Sequence, residues 1–178
     1  MASLRKASSY SKKTVRPYTR KSSKRKKSYI KAVPQNKIVK FNMGKGKAED
    51  MKKYKFIIQL LSEEKVQVRD NALESCRMLI NKSMEREVPG TFCFRVKVFP
   101  HHILRENKTA AGAGADRLSS GMKHSFGITA GRAAIVNPGK DLFEILCITE
   151  KGVQAAKRAM KKVKPKIPCK SKIIFSKI

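Results

Sequence analysis

Positive charge is concentrated at the two ends of this sequence, and this distribution limits what the chain can fold into. Residues 1–47 contain 16 Lys and Arg, residues 151–178 contain ten, and neither segment contains an acidic residue. Residues 48–150 contain 16 basic residues and all 13 acidic ones. Only this middle part has the balanced charge of an ordinary domain. We therefore expect a nearly neutral folded body flanked by basic extensions.

The net charge of +29 at pH 7 indicates a polyanionic partner. Dense Lys and Arg are typical of nucleic-acid binding and do not suit a small-metabolite enzyme. An anionic membrane is the other common partner, but no apolar run reaches the ~18 residues that a spanning helix needs. The first ten residues also lack the apolar stretch of a secretory signal. We therefore expect a cytosolic or nuclear protein without a membrane partner.

Hydrophobic periodicity predicts two helices and about six strands. Apolar residues recur every three or four positions over residues 66–84 and 150–163, which predicts amphipathic helices. The second helix would carry Lys157, Arg158 and neighbouring cations on its polar side. Strands are predicted where apolar residues alternate or form short runs between turn residues, over residues 34–43, 55–61, 91–99, 133–137, 142–148 and 172–175.

This order of elements favours an α+β sandwich with a mixed or antiparallel sheet over a doubly wound parallel sheet. Hydrophobic residues make up 40% of the chain, which is enough for one core. We predict a basic arm over residues 1–33 and one domain over residues 34–176. Strand 91–99 would have a cationic outer face formed by Cys93, Arg95 and Lys97.

The N-terminal arm interleaves Lys and Arg with serine and with Tyr10, Tyr18 and Tyr29. Such a segment cannot fold alone, but it can follow a phosphate backbone and place rings against exposed bases. The alternatives are a nuclear localisation signal and a solubilising tail, since residues 23–27 would serve either purpose. The candidate binding residues of the arm are Arg16, Tyr18, Arg20, Lys21, Lys24, Arg25, Lys26, Lys27 and Lys31.

Residues 100–131 form a long segment rich in Gly, Ala and Ser, which is predicted to be an irregular loop with a function. Asp116 and Arg117 stand where a Walker loop or a dinucleotide fingerprint needs other residues, so a nucleotide site is not expected. Small residues allow close approach to a crowded partner, which favours a finger inserted into folded RNA. The alternative, a disordered linker, is less favoured because Leu104, Leu118, Met122 and Phe126 would anchor the loop. Nearby phosphate donors are Arg105, Lys108, Arg117, Lys123 and Arg132.

Histidine and cysteine residues give no pattern of a metal or catalytic site. His101 and His102 are adjacent and would point to opposite sides of an extended segment, and His124 stands alone. A phosphate-binding or packing role is favoured for them. The cysteines show no C-x-x-C pair and are expected to be small buried hydrophobic residues. Without an acid–base pair or a nucleophile constellation, we expect no enzyme, no cofactor, no metal and no small-molecule substrate.

Five segments together resemble a known family. PHHILRENK, GAGADRL and GMKHSFG, with YIKAVPQNKIVKFNMG and the helix RDNALESCRMLINK before them, closely resemble the universal large-subunit ribosomal protein sixteen family in its archaeal and eukaryotic form, called L-ten-e. The resemblance covers about residues 18–169. It implies an α/β-hammerhead type of fold on large-subunit rRNA, near the central protuberance and the peptidyl-transferase region. The family organises the aminoacyl-tRNA site and joins the subunit late in assembly.

By the same resemblance, loop 108–121 would reach toward the peptidyl-transferase centre and the tRNA acceptor arm. Its residues expected near the tRNA are Lys108, Ala110, Gly112, Gly114, Asp116 and Arg117. The arm together with His101, Arg105, Lys123, His124 and Arg132 would bind rRNA. Expected partners are large-subunit rRNA, the vicinity of 5S rRNA, aminoacyl-site tRNA and neighbouring ribosomal proteins, in the cytoplasm.

Some residues depart from the family pattern, namely Ala32 where glycine is usual, and Ile128 and Thr129 where Lys-Pro is usual. Two alternatives to the ribosomal interpretation remain open. A DNA-condensing protein of the chromatin type explains the charge but not the glycine-rich loop. An RNA-modifying enzyme would need a cofactor pocket or an acid–base pair.

Overall fold

The fold consists of two antiparallel sheets and two long helices. The computed structural model describes residues 8–11, 30, 32–46, 52–106 and 127–178. Within these residues the elements are α1 (Ser8–Ser11), β1 (Asn42–Gly44), β2 (Phe56–Ser62), β3 (Val66–Arg69), α2 (Asp70–Glu87), β4 (Phe92–Val96), β5 (His102–Glu106), β6 (Ile128–Val136), β7 (Asp141–Cys147), α3 (Glu150–Val163), a 3₁₀ turn (Lys164–Lys166) and β8 (Ser171–Lys177).

The larger sheet has the strand order β1-β4-β7-β2-β8, and the smaller sheet has the order β3-β6-β5. Every neighbouring pair in both sheets is antiparallel. Strands β2 and β7 lie inside the larger sheet, where the opposite residues Ile58 and Ile145 are fully buried. Two antiparallel sheets with two long helices confirm the predicted α+β class.

The long helices pack on each other and on the larger sheet. Helix α2 turns Leu73, Cys76 and Ile80 into the core at the predicted spacing. Helix α3 spans the predicted residues 150–163, and its first turn is capped by Thr149, whose Oγ1 accepts a backbone hydrogen bond at 3.2 Å. Its Met160 is fully buried. Each large apolar side chain buried in this way contributes about 2 kcal/mol.

The start of the first long helix differs from the prediction. Residues 66–69, predicted as helix, form strand β3 instead, and the helix begins at Asp70. The cause is pairing with β6, in which Val66 lies opposite Val136 and Val68 opposite Ala134. Periodicity alone does not reveal this partner, because β6 lies far along the chain.

The first strand is shorter than predicted. Residues 34–41 lie outside the strand ladder, and only Asn42–Gly44 forms β1. The Phe41 carbonyl still accepts a hydrogen bond from the Val96 backbone at 2.8 Å. Gly44 has φ +79°, and a Cβ there would lie 2.2 Å from the Phe92 carbonyl oxygen. Glycine is therefore required where β1 meets β4.

The largest correction concerns the glycine-rich segment. Residues 100–131 were predicted as one irregular loop, but its two ends are strands β5 and β6, which pair with each other. The ladder includes Glu106 opposite Ile128. Strand β6 therefore begins at Ile128 and not at the predicted residue 133. The small-residue stretch connects two neighbouring strands, whose paired ends hold its two ends side by side.

The N-terminal turn α1 packs against β3. Gln67 donates a hydrogen bond from Nε2 to the Tyr10 carbonyl oxygen at 3.0 Å. The Arg69 guanidinium lies 5.5 Å from the centroid of the Tyr10 ring. Tyr10, predicted to stack on RNA bases, thus contacts the protein's own body. The boundary between the arm (1–33) and the domain (34–176) remains a prediction.

Candidate nucleic-acid interface

The structure describes three of the predicted site residues, and they lie around strands β5 and β6. His101 precedes β5, Arg105 belongs to β5, and Arg132 belongs to β6. The other predicted residues lie outside the described residues: Arg16, Tyr18, Arg20, Lys21, Lys24, Arg25, Lys26, Lys27, Lys31, Lys108, Ala110, Gly112, Gly114, Asp116, Arg117, Lys123 and His124.

Arg132 connects the smaller sheet to the segment that precedes β1. Its Nε donates a hydrogen bond to the Pro34 carbonyl oxygen at 2.7 Å. This bond orients the planar guanidinium, a group whose geometry matches phosphate. Arg105 is half-buried and lies opposite Thr129, next to a register shift after Leu104. Both arginines therefore stand on the ladder that leads into the glycine-rich connection.

The two adjacent histidines point in different directions, as predicted. His101 is exposed, whereas His102 is only 5% exposed. The His101 ring lies against Phe99, with centroids 4.6 Å apart. Among the described residues, no group of three or more His, Cys, Asp or Glu side chains could hold a metal ion.

Helix α3 presents a surface that sequence reasoning described but did not assign to binding. One side of the helix carries its buried residues, and the other side carries exposed cations near the helix start and through its last two turns. We call this side the α3 cationic face. The spacing of basic residues beside a buried stripe was the signal that could have identified it. Its residues are Lys151, Lys157, Arg158, Lys161 and Lys162.

A carboxylate of α2 pairs with one cation of the α3 cationic face. Arg158 donates a short hydrogen bond from its guanidinium to Glu87 at the end of α2. This hydrogen bond, with the nearby positive charges of Arg158, Lys162 and Arg86, lowers the pKa of Glu87. The interaction joins the two helices and favours the ionised form of Glu87. It leaves the face with more cations than it has carboxylates.

Carboxylates elsewhere in the body are also engaged by cations. Glu144 on β7 lies 3.7 Å from the Arg95 guanidinium and 3.4 Å from the Lys97 ammonium. Glu74 accepts hydrogen bonds from Arg77, which lower the pKa of Glu74. These pairs partly neutralise Arg77, Arg95 and Lys97.

The predicted cationic outer face of strand 91–99 is only partly correct. Cys93 is buried and packs with Tyr54 and Leu146 on that side of the sheet. Arg95 and Lys97 share the carboxylate of Glu144, as described above. Because antiparallel pairing places Glu144 directly opposite Arg95, β7 partly neutralises the charge of β4.

The cysteines behave as buried hydrophobic residues, as predicted. Cys76, Cys93 and Cys147 are buried, Cys169 is half-buried, and all four are free thiols. Burial raises the pKa of Cys76 and of Cys147 to about 12. Their thiolate form is scarce at neutral pH, which does not suit a nucleophile or a metal ligand. No helix in the described part of the chain is long and apolar enough to cross a membrane.

These features define a class of protein: a small basic α+β protein with an exposed cationic helix face and a strand ladder that supports a glycine-rich connection. Its charge pattern is typical of proteins that bind nucleic acids. Comparison with known proteins identifies the family. The family model described as ribosomal protein L16p/L10e matches residues 17–174.

Archaeal relatives named large ribosomal subunit protein uL16 are similar over nearly the whole chain. The relative from Methanococcus maripaludis (strain C7) is 43% identical over 175 residues, which cover 98% of this chain and 95% of the relative. The relative from Staphylothermus marinus is 39% identical over 173 residues, covering 97% and 93%. The relative from Archaeoglobus fulgidus is 37% identical over 163 residues, covering 91% and 87%. The chain belongs to the L16p/L10e family of ribosomal proteins, which confirms the resemblance seen in the sequence.

Proposed function

We propose that this protein binds large-subunit rRNA, helps to organise the aminoacyl-tRNA site and joins the subunit late in its assembly. Family membership makes it a structural constituent of the large ribosomal subunit, in the cytoplasm. The rRNA contacts, the role at the tRNA site and the role in assembly are the content of the proposal. The rRNA contacts rest on α3, the arm and the arginines of the smaller sheet, and the role at the tRNA site rests on the connection between β5 and β6. The role in assembly rests on the family resemblance.

The observation that carries the proposal is the α3 cationic face. Five exposed cations lie along one helix side, while the opposite side is buried in the core. A rigid helix holds these charges at fixed spacing, so ordering them on a phosphate backbone costs little conformational entropy. Phosphate contacts of this kind position a protein on RNA without reading its sequence.

The basic arm extends the same chemistry beyond the body. Residues 1–33 carry 12 basic residues and no acid, and they can neutralise phosphates over a long path. Tyr18 would add stacking to the arm's ionic contacts. On the body, Arg105 and Arg132 supply planar donors near the glycine-rich connection. Lys123 and His124, on the far side of that connection in the sequence, would complete the rRNA contacts.

The connection between β5 and β6 is proposed to reach toward the peptidyl-transferase centre and aminoacyl-site tRNA. The ladder that includes Glu106 and Ile128 supports this, because it fixes both ends of the connection at one place on the body. Small residues such as Gly112 and Gly114 allow close backbone approach to RNA. Lys108 and Arg117 would contribute the positive charge. Ala110 and Asp116 are the other loop residues proposed to lie near the tRNA.

The proposed partners are large-subunit rRNA, the region around 5S rRNA, aminoacyl-site tRNA and neighbouring ribosomal proteins. The proposed contribution is binding and positioning, with no catalytic step by this chain. Raised thiol pKa values at Cys76 and Cys147 and the ion-paired state of Glu74 and Glu144 support this, because each of these groups has a structural environment.

Salt-dependent binding tests the proposal. Filter binding to full-length large-subunit rRNA should give a log K that falls linearly with log salt, by about one unit for each one or two phosphates neutralised. Duplex DNA of the same nucleotide content serves as the control, and we expect weaker binding to it at every salt concentration. Equal affinity for both polymers would contradict the proposal and favour a DNA-condensing protein.

A further inference from the structure

Three rings form a surface stack where the chain passes from the larger sheet to the smaller one. The Phe41 and Phe99 rings are stacked, with centroids 5.3 Å apart and planes inclined by 23°. The His101 ring continues the stack beyond Phe99 at 4.6 Å, inclined by 46°. Phe41 is half-buried against the core, Phe99 is 39% exposed and His101 is exposed. The stack therefore runs from the core to the surface.

The backbone register fixes this orientation. Val98 and His102 are buried, so Phe99 and His101 alternate with residues that face the interior. The His101 backbone N–H donates to the Phe99 carbonyl at 3.0 Å, which holds the two residues in a tight turn. The backbone therefore directs the Phe99 and His101 rings toward the surface.

The charge around the stack suits a polyanion. Lys37 and Lys40, both exposed, precede Phe41, and the exposed Lys97 precedes Phe99. The nearby carboxylates are engaged: Glu144 with Arg95 and Lys97, Glu74 with Arg77, and Asp70 with the Lys37 backbone N–H. Exposed rings beside cations form the combination that binds unpaired nucleotides, by stacking on the base and attracting the phosphate.

We propose that the Phe41–Phe99–His101 stack is a platform on which an unpaired rRNA base stacks. The base would lie at the outer end of the stack, against the exposed His101 ring and the exposed part of Phe99. This inference rests on the proposed function, because it specifies what one surface of an rRNA-binding protein recognises. It assigns to His101 a stacking contact, in addition to the phosphate or packing role expected from its sequence.

A tryptophan probe tests the platform directly. The chain contains no tryptophan, so Phe99→Trp places a single indole in the stack. Titration with full-length large-subunit rRNA should quench its fluorescence, because a stacked base quenches an indole. The matched control is Met78→Trp on α2, which replaces a side chain that is 53% exposed and lies outside the stack. We expect little quenching of the control.

Binding measurements separate stacking from charge. Phe99→Ala should weaken rRNA binding by roughly five- to 150-fold while leaving the salt slope unchanged, since every cation that can meet a phosphate is retained. His101→Ala should act in the same direction. Circular dichroism checks that each variant is folded, and the Trp variant, which keeps an aromatic ring, gives a readout that does not depend on the Ala variants.

Three outcomes would overturn the platform. They are an unquenched Phe99→Trp indole when rRNA is fully bound, unchanged affinity of folded Phe99→Ala, and quenching that appears only with other ribosomal proteins and not with rRNA alone. The last outcome would identify a protein-docking surface. Failure of the wild-type protein to prefer rRNA over DNA would instead overturn the proposed function, so the two failures are distinguishable.

Discussion

At the scale of single residues, two glycines with similar backbone angles have different constraints. Gly44 and Gly139 have φ +79° and +77°, a region that other residues adopt at a cost. A Cβ at Gly44 would collide with the Phe92 carbonyl at 2.2 Å, whereas a Cβ at Gly139 would meet nothing within 4 Å. Gly44 therefore combines an unfavourable φ with a close backbone contact, whereas Gly139 has only the unfavourable φ.

We therefore predict a larger loss of stability for Gly44→Ala than for Gly139→Ala. The strained angle alone should cost about 1–2 kcal/mol at either position. At Gly44 the collision with backbone forces β1 away from β4, and the total should exceed about 3 kcal/mol. Urea unfolding of both variants measures the difference, and equal losses would show that β1 moves without cost.

Some residue properties follow directly from the sequence, and others do not. The apolar spacing around Cys76 predicted that Cys76 is buried. The adjacency of His101 and His102 on an extended segment predicted that their side chains point to opposite sides. The pairing of Cys93 with a small cluster on the outer side of the sheet was not predictable, because Tyr54 and Leu146 come from separate parts of the chain. Contacts between distant segments depend on topology, which local patterns do not contain.

At the scale of elements, α3 was predicted with its observed bounds because its signals are local. Thr149 caps it, the buried stripe runs through it, and Pro165 follows it. Strands β3 and β5 were missed because each is defined by its pairing with β6. The closing strand was predicted over residues 172–175 but extends over Ser171–Lys177, since β2 pairs along its whole length.

The α3 cationic face yields a prediction at this scale. Replacing Lys151, Lys161 and Lys162 by Ala should weaken rRNA binding and reduce the salt slope by up to about three units, one for each phosphate that a lysine no longer neutralises. Stability should change little, because the three side chains are exposed. Filter binding at several salt concentrations measures both quantities.

The control for this variant removes the same charge elsewhere. Lys52, Lys65 and Lys140 are exposed and lie in separate turns or loops of the body. Their triple Ala variant has the same net charge as the α3 variant but keeps the lysines of the helix face, so its binding should retain a steeper dependence on salt. If the slope of log K against log salt falls equally in both variants, binding depends on net charge and the helix face has no special role.

At the scale of the whole molecule, the charge distribution and the fold fit together. The acidic residues lie in the middle of the sequence, where several of them pair with cations within the body. The surplus lies on α3 and on the terminal segments. The sequence predicted this division, but it did not predict that the glycine-rich segment joins two strands of one ladder. Because β5 and β6 pair, the segment is a connection between two neighbouring strands, and its two ends lie close together on the body.

Most residues of the predicted site were identified from the family resemblance and from composition. The packing of the body contributed little to their identification. His101, Arg105 and Arg132 are close to the smaller sheet because β5 and β6 pair, a relation between residues far apart in sequence. The α3 cationic face was visible in the sequence as a polar stripe. The structure shows that these cations are exposed while the other side of the same helix is buried. This exposure makes the face a candidate for binding.

A density map of the large ribosomal subunit containing this protein tests the central claim most directly. We predict that the α3 cationic face lies within hydrogen-bonding distance of rRNA phosphates. The connection after Glu106 should point toward the peptidyl-transferase centre and the acceptor end of aminoacyl-site tRNA. A map in which α3 faces solvent or protein, and the connection points away from the tRNA site, would contradict the account.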